Sequence, residues 1–321
     1  MAYRFEADET VGEAFARAAR EQLAAAETAL TRKADSDPTG AVHTARKSIK
    51  KERALLRLMR GSVDGDRRRA ENTALRDAAR TLSGARDADV MIETLDELSH
   101  RYVGQLPHHE FETIRERLQA GKSSVESANG SGVSAAAAAS ELAAARARIG
   151  QWTLKREGWR GLEPGLHQSY RRGTKAFATA QRDPSDTNLH EWRKRVKDLW
   201  YQLRLLAPVC GPVVRGQAQD AHTLADLLGD DHDLAVLRQT LVSVSGGVAA
   251  DIDAVLGLVD HRRSRLQAEA FAFGGRVYAE RPKAFVRRMR ACWRTGRRLR
   301  RESQQRDPID LAEMTRTAAA R

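Results

Sequence analysis

Two short motifs in this 321-residue chain occur twice, in the same order and at almost the same separation. Val42-His43-Thr44-Ala45-Arg46-Lys47-Ser48-Ile49-Lys50 returns 147 residues later as Leu189-His190-Glu191-Trp192-Arg193-Lys194-Arg195-Val196-Lys197. His43 matches His190, Arg46 matches Arg193, Lys47 matches Lys194 and Lys50 matches Lys197. Leu56-Arg57-Leu58 likewise returns as Leu203-Arg204-Leu205. Downstream, Leu82-Ser83-Gly84-Ala85-Arg86-Asp87-Ala88-Asp89-Val90 aligns with Leu228-Gly229-Asp230-Asp231-His232-Asp233-Leu234-Ala235-Val236 at an offset of 146. Two separate motifs held at one spacing predict an internal duplication, with halves 1–134 and 135–321 of one domain related by a pseudo-twofold.

The residues between the motifs favour helix. Ala, Leu and Arg lose little on entering a helix, and Pro occurs only 8 times. A first helix is expected from Glu6 to about Arg32, with Val11, Phe15 and Leu23 on its core face. The run Asp35 to Gly40 should break it. Further helices are expected from Val42 to Met59, from a turn at Gly61 to Asp66 on to Leu82, and from Asp87 onward. The Ser- and Gly-rich run Gly121 to Ser134 reads as a flexible connection, and Ala135 to Arg148 as helix again. Asp183-Pro184-Ser185-Asp186 should break the chain before a helix from Thr187. Long helices joined by short polar turns make the fold class all-α, as two halves resembling four-helix bundles.

The repeated motif puts charge on one face. With His43 at the origin and about 100° per residue, Lys47, Lys50, Arg57, Arg46 and Arg53 fall at roughly 40°, 340°, 320°, 300° and 280°. Val42, Ile49, Leu56 and Met59 fall between about 160° and 260°, which is the core face. His190, Lys194, Lys197, Arg204 and Arg193 repeat the basic arc, and Leu189, Val196, Leu203 and Leu206 repeat the core face. Trp200 stands where the first half has Arg53. Like charges on adjacent turns repel unless something relieves them. Glu52 and Asp198 lie off the arc, so no acidic relief is expected within it, and a bound anion is the expected countercharge. The rival reading is pairing with acids from other helices. In the second motif Asp87 and Asp233 are expected to be structural, capping helix N-termini or holding an Arg of the stripe.

The whole chain carries 55 Lys and Arg against 43 Asp and Glu, a formal charge of +12, which calls for an anionic partner. Ten Lys or Arg and no acid lie between Arg281 and Arg301; a solvated helix face explains that run as well as a binding site does. Cys210 and Cys292 have no metal-ligand spacing and are a weak basis for a disulfide. No apolar run resembles a signal peptide or a membrane span, so a cytoplasmic location is expected.

These residues resemble the CHAD domain, the conserved histidine α-helical domain. The resemblance rests on His-x-x-Arg-Lys opening a helix, followed by Leu-x-x-x-(Arg/His)-Asp-x-x-Val, both occurring twice. The tail Gly274 to Phe285 looks like the family's closing region. The resemblance implies two four-helix bundles and a basic channel or surface that binds inorganic polyphosphate, with association with polyphosphate granules. By motif match the binding positions are His43, Arg46, Lys47, Lys50, Arg53 and Arg57, with His190, Arg193, Lys194, Lys197 and Arg204. Arg86-Asp87 and His232-Asp233 take the second motif's places. Ser83 for Gly, and Trp200 for a basic residue, depart from the pattern, so the halves need not contribute equally.

No catalysis is expected. The family often accompanies a triphosphate-tunnel domain marked by Glu-x-Glu-x-Lys, but Glu110-Phe111-Glu112 is followed by Ile114 where Lys should stand. No Gly-rich phosphate loop of the form Gly-x-x-x-x-Gly-Lys-Ser/Thr exists. A metal phosphohydrolase using His232, Asp233, His190 and Asp260 or His261 is the sharper enzyme alternative, but Arg86 at the matching place of His232 cannot ligate a metal. No cofactor or metal is therefore expected. Nucleic acid is the other rival ligand, because any basic stripe binds it to some degree. It is expected as a weaker competitor, and no helix-turn-helix or zinc finger is visible. The residues imply no particular oligomeric state.

Overall fold

A computed structural model of the chain describes the backbone of residues 3–319, except residues 7, 35, 83–84, 106–107, 129–130 and 245–248. Side chains at 85–88, 108, 121–128, 131–134, 244, 249–251, 304 and 306–319 also lie outside the described residues. The described residues form eleven α-helices and no strand: α1 (Val11–Arg32), α2 (Pro38–Leu58), α3 (Gly65–Thr81), α4 (Ala85–Arg101), α5 (His108–Ala128), α6 (Ser131–Ile149), α7 (Trp159–Arg182), α8 (Asp186–Cys210), α9 (Pro212–Val244), α10 (Ala249–Val277) and α11 (Pro282–Ala319). The all-α class follows.

Local chemistry sets the helix ends. Thr10 caps α1 in a reciprocal capping box with Glu13, so that helix starts five residues later than Glu6. Asp37 accepts a hydrogen bond from the Gly40 N–H at 2.8 Å, and Pro38 takes the first helical position. A proline there costs nothing, because its missing N–H would have no partner anyway. The expected break at Asp35 to Gly40 is thus shorter, and α2 begins before Val42. Gly121 to Ser134 is a correction: α5 continues to Ala128 and α6 starts at Ser131, so most of that run is helix. The second motif also differs between its copies. In the first half it spans the junction of α3 and α4, and in the second it lies inside the unbroken α9.

The core faces fall where the wheel puts them. Ile49, Leu56, Met59, Val196, Leu203 and Leu206 are fully buried, Leu189 is buried, and Val42 packs on the rim. One large core joins residues from Tyr3 to Trp293, including α1, α2, α6, α7, α8 and α11. A second, smaller core holds Leu95, Leu98, Phe111 and Ile114 of α4 and α5 against Leu237, Val255 and Leu266 of α9 and α10. Truncating a fully buried leucine such as Leu203 to Ala should cost about 2–5 kcal/mol, through lost burial and a residual cavity. α2 packs on α1, α3, α7 and α8. At the α2–α7 contact a Cβ on Gly165 would lie 1.9 Å from the Leu58 carbonyl oxygen, so only glycine lets these two backbones meet.

Candidate functional site

α2 and α8 carry both copies of the histidine motif and cross each other. Gln202 is fully buried and donates from Nε2 to the Ala54 carbonyl at 3.1 Å. Arg57 donates to Asp198 at 2.8 Å. The charge of Arg204 acts on Lys51. Partners descend along α8 as they ascend along α2, so the helices run antiparallel here. His43 and His190 therefore lie on opposite sides of the crossing, about 16 Å and about 18 Å from it at 1.5 Å of rise per residue.

At the crossing the two halves differ in charge. Arg57 and Arg204 are matched positions, and so are Lys51 and Asp198, each 147 residues apart. Arg57 thus meets a carboxylate, while Arg204 lies near enough to Lys51 for its positive charge to act on that amine. Burial, with Arg204 and Lys47 nearby, pushes the Lys51 amine down to about 8. Its ammonium also lies 5.5 Å from the Tyr3 ring centroid. Among the described residues no carboxylate comes within ion-pair reach of Lys47, Lys51 or Arg204. Beside Arg204 a groove of about 540 Å³ is lined by Arg4, Arg215, Trp200 and His222. Lys51, Arg4 and Arg215 are missing from the sequence-derived set. Lys51 lies at roughly 80° on the wheel, at the edge of the basic arc, and that was its only signal.

The expectation of a stripe without acidic relief is corrected. Asp198 lies off the arc of its own helix but faces Arg57 from across the crossing, and it also reaches Arg195 at 3.6 Å. Lys194 pairs with Glu191 at 2.6 Å, on the same helix. Arg53 donates from Nε to Asn72 of α3 at 3.2 Å, and burial, then Arg57, pushes its guanidinium down to about 10. His43, Lys47 and Lys50 are exposed on α2, and Arg46 is half-buried there.

The second half gathers its groups more tightly. The half-buried His190 ring lies 4.4 Å from that of His232 on α9. Arg193 Nη2 is 3.9 Å from Asp233. Asp233 sits inside α9, so it does not cap the start of its own helix, and of its two expected roles it holds an arginine. Burial, then Arg193 and His190, pushes the His232 imidazole down to about 4. Burial, then Lys194 and Arg193, lowers His190. His190 Nδ1 and Arg193 Nε are buried with no hydrogen-bond partner among the described residues. Lys197 adds to the positive field on both imidazoles. The side chains of Arg86 and Asp87, at the start of α4, lie outside the described residues.

Cations and neutral imidazoles at this spacing can hold phosphate oxygens by charge-assisted hydrogen bonds. Two cysteines, Cys210 and Cys292, are free thiols. Among the described residues no helix is long and apolar enough to cross a membrane.

A family model, the CHAD domain, matches residues 14–242. The structure is similar to that of PptA from Streptomyces chartreusis, at 18% identity and a TM-score of 0.60, covering 85% of this chain and 100% of that one. It is also similar to the crystal structure of the CHAD domain from the plant Ricinus communis, at 17% identity and a TM-score of 0.54, covering 91% of this chain and 95% of that one. At such identities these likenesses show the fold. No curated protein matches the chain in sequence.

Proposed function

We propose that this chain, which belongs to the CHAD domain family, binds inorganic polyphosphate along the basic faces of α2 and α8 and acts by binding, without catalysis. Members of the family are linked to polyphosphate. The observation that carries the reading is the cation cluster of Lys47, Lys51 and Arg204 at the crossing. Keeping these like charges within electrostatic reach of one another costs free energy in the unliganded protein, and a polyanion lying across them relieves it. The His190, Arg193 and Lys197 group gives the same anion a second foothold on α8. The paired helices α1–α2 and α7–α8 support reading the chain as a duplication with halves 1–134 and 135–321. A cytoplasmic location and association with polyphosphate granules belong to the same reading. So does a non-catalytic role, since His232 faces His190 while its counterpart Arg86 is no metal ligand.

The test is competition of polyphosphate against RNA and DNA at fixed salt, followed by a salt titration. Polyphosphate should bind more tightly, and log affinity should fall steeply with log salt as counterions are released. An affinity indifferent to salt, or RNA displacing polyphosphate at equal charge, refutes the reading. Purified protein with Mg²⁺ or Mn²⁺ should leave polyphosphate intact; phosphate release lost in His232→Ala overturns the non-catalytic role.

A further inference from the structure

The basic run from Arg281 to Arg301 lies on α11, beyond residues 14–242 of the family match. α11 packs against α7 and α8 through the buried Phe285, Val286, Met289 and Trp293. At about 100° per residue these four share one arc, and Lys283, Arg287, Arg294, Arg298 and Arg301 share another. Arg290 and Arg297 fall on that second arc too. The row runs for about 27 Å at 1.5 Å of rise per residue.

Lys283, Arg287, Arg294, Arg298 and Arg301 are exposed. Among the described residues, Lys283, Arg287, Arg294 and Arg301 have no carboxylate within ion-pair reach. Among the described residues the acids that reach this face are Glu163, which pairs with Arg290, and Glu302, 3.7 Å from Arg298. Beside the row a groove of about 780 Å³ between α7 and α11 adds Arg156, Arg160 and His167. None of the crossing residues Lys47, Lys51, Arg57, Asp198 or Arg204 lines that groove.

We propose that this face of α11, with Arg156 and Arg160 beside it, binds the phosphodiester backbone of duplex nucleic acid, independently of the polyphosphate reading. Four of the five exposed cations are arginine, whose planar fork takes two oxygens of one phosphate. The row is straight and carried by a single helix. A duplex is stiff over roughly 150 base pairs and lies along such a row without ordering cost, whereas a flexible polyanion must first be straightened. With one charge per about 1.7 Å, the duplex offers several phosphates for each cation along the row. The apolar arc of α11 is consumed by the core, and among its described residues Leu299 is the one large apolar side chain left exposed, too little to insert into a lipid surface.

The experiment compares two full-length variants, Arg287→Gln/Arg294→Gln/Arg298→Gln on α11 and Lys51→Met/Arg204→Gln at the crossing. Each is titrated with a short DNA duplex and with polyphosphate, and sedimented with phosphatidylserine-containing vesicles. All three α11 side chains are exposed, so the triple variant should fold. It should lose at least tenfold in duplex affinity, and its salt slope should fall by about 3, one near-unit step per lost phosphate contact. Its polyphosphate affinity should hold. Unchanged duplex binding in the triple variant overturns the proposal. So does loss of duplex binding in the crossing variant, or loss of polyphosphate or vesicle binding in the triple variant with duplex binding retained. Failure of the polyphosphate reading is separate, since it shows as absent polyphosphate binding in the unaltered chain.

Discussion

Arg57 on α2 and Asp198 on α8 form an ion pair at 2.8 Å, with side chains only 22% and 14% exposed. The matched positions 147 residues away, Arg204 and Lys51, bring two cations together instead. One end of the crossing is thus neutralised by the protein, and the other keeps its cations without a carboxylate in ion-pair reach among the described residues.

Asp198→Asn should destabilise the fold by about 1–3 kcal/mol, because it leaves a half-buried guanidinium without its countercharge. The freed Arg57 should raise polyphosphate affinity at low salt. Denaturant unfolding and a binding titration read both effects. Weaker binding in this variant means that Arg57 does not face the anion.

Lys51→Met should trade in the opposite direction. The Lys51 amine is lowered to about 8 in the folded chain, so its charge opposes folding below that pH, and the penalty fades as pH rises from about 8 towards the ordinary lysine value. Removing the amine should raise the melting temperature at pH 7 and weaken polyphosphate binding. A variant that gains no stability and binds normally places Lys51 outside the site.

The imidazoles predict proton-linked binding. His232 is depressed to about 4 and His190 is lowered too, so both are held neutral in the free chain at pH 7. Stability from these groups is present above the unfolded histidine value near 6.5 and is lost as pH falls from there towards 4. A polyanion opposes the depression. Binding should therefore take up protons, and affinity should rise between pH 7 and pH 5. His190→Gln/His232→Gln should flatten that profile, as calorimetry in buffers of different ionisation heat can show. An unaltered profile moves both rings into the structural role.

Glu52 is fully buried, and neither carboxyl oxygen has a hydrogen-bond partner among the described residues. Burial, then Glu71, raises its carboxyl to about 8, so it is protonated at neutral pH. The stability it contributes is present below the ordinary carboxylate range and is lost as pH rises towards about 8. Glu52→Met, an apolar side chain of similar length, should stabilise the chain at pH 8 more than at pH 5. Equal effects at both values would falsify this assignment.

The residues alone determined the all-helical class, the faces of α2 and α8 that enter the core, and the family. These are local properties: a period of 3.6 residues sorts Ile49 and Val196 from Lys47 and Lys194 without reference to any neighbour. The helix-favouring sequence of Gly121 to Ala128 was hidden by its glycine and serines, and the early start of α2 by Pro38. The partners across the crossing were not legible. Asp198 lies off the basic arc of its own helix, and a helical wheel carries no information about which helix comes to face it. Only the tertiary structure brings Asp198 to Arg57, Arg204 to Lys51 and His232 to His190. The reason is that burial and Coulomb interaction depend on distance in space, so the same basic stripe is neutralised at one end of the crossing and left charged at the other.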